Sequence, residues 1–216
     1  MNKNSSPLKD VMIVTAITLV AGMLLGFVYN ITKGPIENEK IKARIASQKA
    51  VFSDAAAFEE TEGPAAEGFA DKYQAALADN GITGVELNSI DCAYDADGGN
   101  VLGYVVDITD SDGYGGDIEI MVGVRTKDGS NVLNGISFLA LNETAGMGMK
   151  AKESPFIDGF TDLNADELIV FSKTGKSAPN EVDAISGATI TTNAVTNAVN
   201  AAVIAADTYG EVTGQK

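Results

Sequence analysis

One short run of residues concentrates the groups that could do chemistry: Asp183-Ala184-Ile185-Ser186-Gly187-Ala188-Thr189-Ile190-Thr191-Thr192. Gly187 and Ala188 are small enough to admit a ligand or a partner backbone at close range. The hydroxyls of Ser186, Thr189, Thr191 and Thr192 gather where a helical pattern begins. Unpaired N–H groups and the helix dipole make such an end a site for an anion such as phosphate. A hydroxyl there has an ordinary duty too, as a helix cap. On the residues alone both duties stay open.

The elements that must position this run follow from periodicity. Ala194, Val195, Ala198, Val199, Ala202, Val203 and Ala206 recur at helical spacing and predict a long helix from about 191 to 209. Ahead of it lie strand patterns. Residues 89–94 alternate, Asp95 to Asn100 is a turn cluster, and 101–108 is rich in β-branched residues, which together predict a hairpin. Residues 117–124 and 131–141 continue the pattern across Lys127-Asp128-Gly129, and 168–172 reads as one more strand. A short helix is expected at 71–79. The fold class is α+β: a twisted antiparallel sheet with helices packed on it.

Composition narrows the function. The net charge is −15, with 15 Lys+Arg against 30 Asp+Glu, so no basic face for nucleic acid can be assembled. The chain has no His, which removes histidine-based nucleophile systems, HExxH metal sites and histidine-ligated haem. Its one cysteine, Cys92, cannot form an internal disulfide or hold an iron–sulfur cluster. Neither a phosphate-binding P-loop nor a dinucleotide fingerprint is present. No metal site and no catalytic acid or base is expected. Any redox chemistry must come from a bound cofactor.

Val11 to Thr32 carries no charge. At about 1.5 Å per residue it reaches roughly 33 Å, enough to cross a bilayer core. An uncleaved anchor is expected, because the run exceeds a signal-peptide core and no small-x-small site follows directly. Gly34-Pro35 is expected to break or bend the chain. Residues 36–51 then read as a stalk helix and 53–70 as an acidic loop. Lysines flank both sides of the span, so charge alone leaves its orientation open.

Asp183-x-x-Ser186-Gly187-Ala188-Thr189 resembles the motif at which a flavin transferase attaches FMN to a threonine through a phosphoester. Gly113-Tyr114-Gly115-Gly116 and Glu143-Thr144-Ala145-Gly146-Met147-Gly148 are similar to two further loops of the same family. Ala145 and Met147 replace the family's usual Pro and Leu. Val51-Phe52-Ser53-Asp54-Ala55 resembles another signature, usually with Pro at the position of Ser53. The family is the FMN-binding domain shared by the G subunit of the Rnf complex and the C subunit of the sodium-pumping NADH:quinone reductase. The order of the motifs, the single span and the length agree with the Rnf G subunit.

The resemblance implies roles residue by residue. Thr189 would hold FMN covalently, and Asp183, Ser186, Gly187 and Ala188 would be read by the transferase. Glu143 and Thr144 would approach the flavin, Met147 would cover part of the ring, Tyr114 would stand on or near it, and Lys173 matches a lysine near the cofactor. The implied layout is a cytoplasmic tail at 1–10, a membrane span at 11–32, a stalk helix and acidic loop at 33–70 and an extracytoplasmic FMN-binding domain at 71–216, in the cell membrane. The implied partners are the membrane subunits of the Rnf complex, and the implied task is one electron-transfer step in ferredoxin:NAD oxidoreduction coupled to Na+ or H+ translocation. Two other readings are a stand-alone FMN-domain redox protein and a cofactor-free anchored scaffold, which would be colourless.

Overall fold

The computed structural model describes residues 7–96, 99–127 and 130–214. Residues 1–6 of the expected tail and the turn residues Asp97, Gly98, Asp128 and Gly129 lie outside that set. The described residues divide into two compact units, one ending at Arg44 and one running from Ile45.

The first unit is a single helix. Helix α1 (Pro7–Val51) runs unbroken through Gly34-Pro35, against the expected break. Proline removes one intrahelical donor, but nothing else nearby stops the helix: 36–51 is itself helical in pattern, so the two stretches fuse. The apolar stretch is exposed throughout and is long and apolar enough to cross a membrane. Thr15, Thr18 and Thr32 bond back to carbonyls one turn earlier, which satisfies their hydroxyls within the helix.

The second unit is an antiparallel meander. Strands β1 (Ala57–Glu60), β2 (Val85–Tyr94), β3 (Val101–Asp110), β4 (Ile118–Lys127), β5 (Ser130–Leu141) and β6 (Leu163–Asn164) lie in chain order across one sheet. This compact unit runs from Ile45. Part of the expected acidic loop is β1, which pairs Phe58 with Ala93. Its four residues are too few and too acidic to show alternation.

Helices α2 (Phe69–Asp79) and α4 (Thr189–Thr213) cover one face of the sheet, with the single turn α3 (Ser154–Ile157) beside them. Every apolar position forecast for α4 is buried, and Ala194, Ala198 and Ala202 are fully so. Small side chains let the helix sit close on β2, β3 and β4. On the other face Val51, Phe52, Ala93, Val105 and Met121 form a smaller core. Phe52 is fully buried; the Arg125 guanidinium lies 4.9 Å above its ring and pairs with Asp54 at 2.9 Å. That packing accounts physically for the Val51–Ala55 signature. Last, β7 (Val170–Ser172) and β8 (Glu181–Asp183) form a two-stranded parallel sheet that leads into α4.

Candidate functional site

Two loops from one end of the six-stranded sheet, together with the turn between β8 and α4, enclose a cleft of about 440 Å³. The β3–β4 loop contributes Tyr114. The segment after β5 contributes Glu143, Thr144, Met147 and Gly148. The turn into α4 contributes Gly187, Ala188, Thr189, Ile190 and Thr191. Residues 77 positions apart in sequence thus line one space.

The turn into α4 shows how the hydroxyls divide their work. The residue capping α4 is Ala188, which has no side-chain acceptor. Gly187 turns the chain there at φ +80°, a conformation that favours glycine. Thr192, fully buried, holds the turn from inside the helix. Its Oγ1 accepts the Ile185 N–H at 3.1 Å and donates to the Ala188 carbonyl at 2.9 Å. The first intrahelical backbone bond is Thr192 N–H to Ala188 O, at 2.9 Å. The N–H groups of Thr189, Ile190 and Thr191 precede it, at the positive end of a 25-residue helix. Thr189 is exposed, and no hydrogen bond among the described residues engages its hydroxyl. The capping alternative for Thr189 is thereby removed: its hydroxyl caps nothing.

The facing wall is tied together by Glu143. One carboxylate oxygen accepts the Tyr114 N–H at 2.9 Å. The other, Oε2, is buried without a hydrogen-bond partner among the described residues. A buried carboxylate oxygen left unpaired is costly, and this one belongs to a residue that lines the cleft. Gly148 makes the approach feasible. A Cβ there would stand 2.6 Å from Thr191 Oγ1 and 2.7 Å from Glu143 Oε2, so any side chain would force the two walls apart. Around the rim, Tyr114, Met147 and Ile190 expose apolar surface.

Most of the residues read from the sequence meet here: Tyr114, Glu143, Thr144, Met147, Gly187, Ala188 and Thr189. Asp183 and Ser186 do not. They line an adjoining cleft of about 200 Å³ with Lys150, Glu153 and Phe156. Asp183 also accepts the Lys176 N–H at 2.6 Å, steadying the connection between β7 and β8. Lys173 is exposed in that same connection and lines neither cleft. Gly148, Ile190 and Thr191 line the cleft too, although the sequence motifs containing them assign them no individual role. The signal for Ile190 was a large apolar residue in the first turn of a helix, where polar ones are the rule.

The family described as FMN-binding domain matches residues 113–204, a span that contains every residue of the cleft. The G subunit of the Na(+)-translocating ferredoxin:NAD(+) oxidoreductase complex of Acetobacterium woodii is 32% identical, across 89% of this chain and 87% of its own length. The G subunit of the proton-translocating ferredoxin:NAD(+) oxidoreductase complex of Clostridium ljungdahlii is 30% identical, across 90% and 89%. The chain belongs to the family of Rnf G subunits. Among solved structures, Shewanella oneidensis NqrC aligns over 59% of this chain and 61% of that chain, at 20% identity and a TM-score of 0.48.

The cleft of this Rnf G subunit fits the cofactor its domain is named for. Amide N–H groups at the start of α4 suit a phosphate. The Glu143 and Thr144 side chains on the facing wall suit polar groups of the cofactor. The apolar rim of Tyr114, Met147 and Ile190 suits a flat aromatic ring.

Proposed function

We propose that this protein is a membrane-anchored electron-transfer subunit of an Rnf complex, with FMN joined to Thr189 through a phosphoester. FMN supplies one- and two-electron redox chemistry when bound, and the chain's own residues hold, orient and partly shield it. Thr189 Oγ1 is the attachment atom. The N–H groups of Ile190 and Thr191 face the phosphate charge. Glu143 and Thr144 would approach the flavin from the facing wall, and the Thr144 hydroxyl is one that no described residue engages. Tyr114, Met147 and Ile190 cover the ring while leaving part of it accessible.

The complex couples ferredoxin:NAD oxidoreduction to ion translocation, and this chain performs one relay step within it. An electron relay needs proximity to partner cofactors rather than a substrate cleft. The flavin domain faces outward from the cell membrane, with residues 11–32 as the span and a flavin transferase as the maturation partner. Covalent attachment suits that side, because a released flavin would be lost by dilution.

One observation carries the reading: the Thr189 hydroxyl is exposed and unengaged on the cleft wall, while Thr192 does the structural work beside it. The test is in-gel flavin fluorescence after denaturing electrophoresis, from cells co-expressing the transferase. A fluorescent band in the wild type that vanishes in Thr189→Ala supports the linkage. No band in the wild type, with a control flavoprotein visible on the same gel, overturns the covalent linkage, and a protein that is also colourless before denaturation favours the cofactor-free scaffold.

A further inference from the structure

The helix that carries Thr189 is fastened, two turns further along, to the strand that feeds the opposite wall. Asn197 Nδ2 donates to Asp110 Oδ2 at 2.7 Å and to the Thr83 carbonyl at 3.0 Å. Asp110 is the last residue of β3 and is fully buried. Its other oxygen accepts the Asp112 N–H at 2.8 Å. The neighbouring Ser111 fixes the same root, with its N–H and its hydroxyl both reaching the Gly84 carbonyl, at 2.8 and 3.0 Å. The sheet pairing closes here as well, at Asp110 opposite Ile118, so residues 111–117 project as a loop from a tied base. At its outer end that loop is held by the Tyr114 N–H on Glu143.

A buried carboxylate is an expensive way to anchor a loop. Burial pushes Asp110 up from the ordinary carboxylate range, and the Asn197 amide is the largest influence opposing that rise. An apolar residue at the end of β3 would close the sheet at lower cost. What the pair adds is a directional bond between two elements that carry opposite walls of one cleft. α4 presents Thr189, and the loop rooted at Asp110 presents Tyr114.

We infer that Asn197 and Asp110 are a positioning pair that sets the stance of Tyr114 over the flavin cleft relative to Thr189, an inference that rests on the flavin reading above. Neither residue lines the cleft. They act through the loop and the helix.

The experiment uses the full chain as wild type, Asn197→Ala and Asp110→Asn, each prepared with and without the transferase. Hydrogen exchange is followed at residues 112–116 in the flavin-free chain, and visible circular dichroism of the flavin in the loaded chain. In folded Asn197→Ala, exchange at 112–116 should quicken about tenfold while the central strands keep their protection, and the flavin dichroism should change in shape. Asp110→Asn keeps one acceptor for Asn197 and should fall between; it also stands in if Asn197→Ala does not fold. Unchanged exchange at 112–116 overturns the tether. Faster exchange with an unchanged flavin spectrum reduces the pair to a structural tie and overturns the positioning role. A wild-type chain that takes up no flavin is told apart at once, and it removes the flavin reading and this role together.

Discussion

Thr192 and Ile185 are seven residues apart, yet the Thr192 hydroxyl accepts the Ile185 N–H at 3.1 Å and closes the turn that presents Thr189. Thr192→Val keeps the shape and removes the hydroxyl, leaving a buried N–H without its acceptor. The expected cost is about 1–3 kcal/mol. Flavin incorporation should fall more than that cost alone explains, because the turn no longer holds Thr189 on the cleft wall. Thr192→Ser should restore incorporation. Melting temperature and flavin per chain, measured together, check both; equal loading of Thr192→Val and wild type would show that the turn does not need this bond.

Gly148→Ala places a methyl within 2.6–2.8 Å of Thr191 Oγ1 and of the Glu143 side chain. Overpacking of this kind costs about 1–3 kcal/mol. For a domain of this size that is a fall in Tm of about 2–4 °C per kcal/mol. Flavin loading should drop with it. A variant that melts and loads as the wild type does would mean that Glu143 and Thr191 can part without consequence.

Glu143→Gln preserves an acceptor for the Tyr114 N–H and removes the charge at the unpaired Oε2. Stability should change little. The flavin midpoint potential should rise, because a nearby negative charge opposes the arrival of electrons; a shift on the order of tens of millivolts is expected. Spectroelectrochemical titration measures it. An unmoved potential would place Glu143 away from the flavin.

Acid should loosen the β7–β8 connection. Glu181 accepts the Ser177 N–H at 2.6 Å, the Ser177 hydroxyl and the Ala178 N–H, which hold its carboxyl below the usual range. Asp166 is lowered in the same way, first by Asn164 and then by the Asn131 N–H. A depressed folded pKa gives stability that is complete above the unfolded value and is lost as pH falls through the folded one. For Glu181 that window starts near the ordinary value of about 4.3 and extends below it. Asp110 has the opposite sign. Its folded pKa is raised by burial, so its contribution is present at low pH and is lost as pH rises through the folded value. An NMR pH titration should show amide shifts at Ser177 and Ala178 below pH of about 4.3, abolished in Glu181→Gln. Shifts persisting in that variant would assign the acid response to another group.

The meander and α4 were legible because their residues repeat at simple periods: Val101 to Ile108 as β-branched strand, Ala194 to Ala206 as an apolar helical stripe. The candidate cleft was approached through the family resemblance of its three loops, since the residues alone left both ligand binding and helix capping open. What escaped was decided by tertiary context. β1 is a strand because Phe58 has Ala93 to pair with, which four residues of sequence do not disclose. Gly34-Pro35 reads as a break or a bend, yet helical residues on both sides outvote one lost donor and the helix is not broken there. The division of labour between Thr189 and Thr192 was hidden too. Both are threonines at the start of one helix, and only burial separates them.

The cleft also imposes an order in time. Its walls come from Tyr114, from Glu143 to Gly148, and from the first turn of α4. A ribosome delivers α4 after every strand of the sheet, and until α4 docks, the large apolar face formed by Ile90, Val106, Ile120 and Val122 lacks its longest covering helix. Cofactor loading therefore belongs to the end of biogenesis. A flavin seated in this cleft certifies that the whole domain has closed around it.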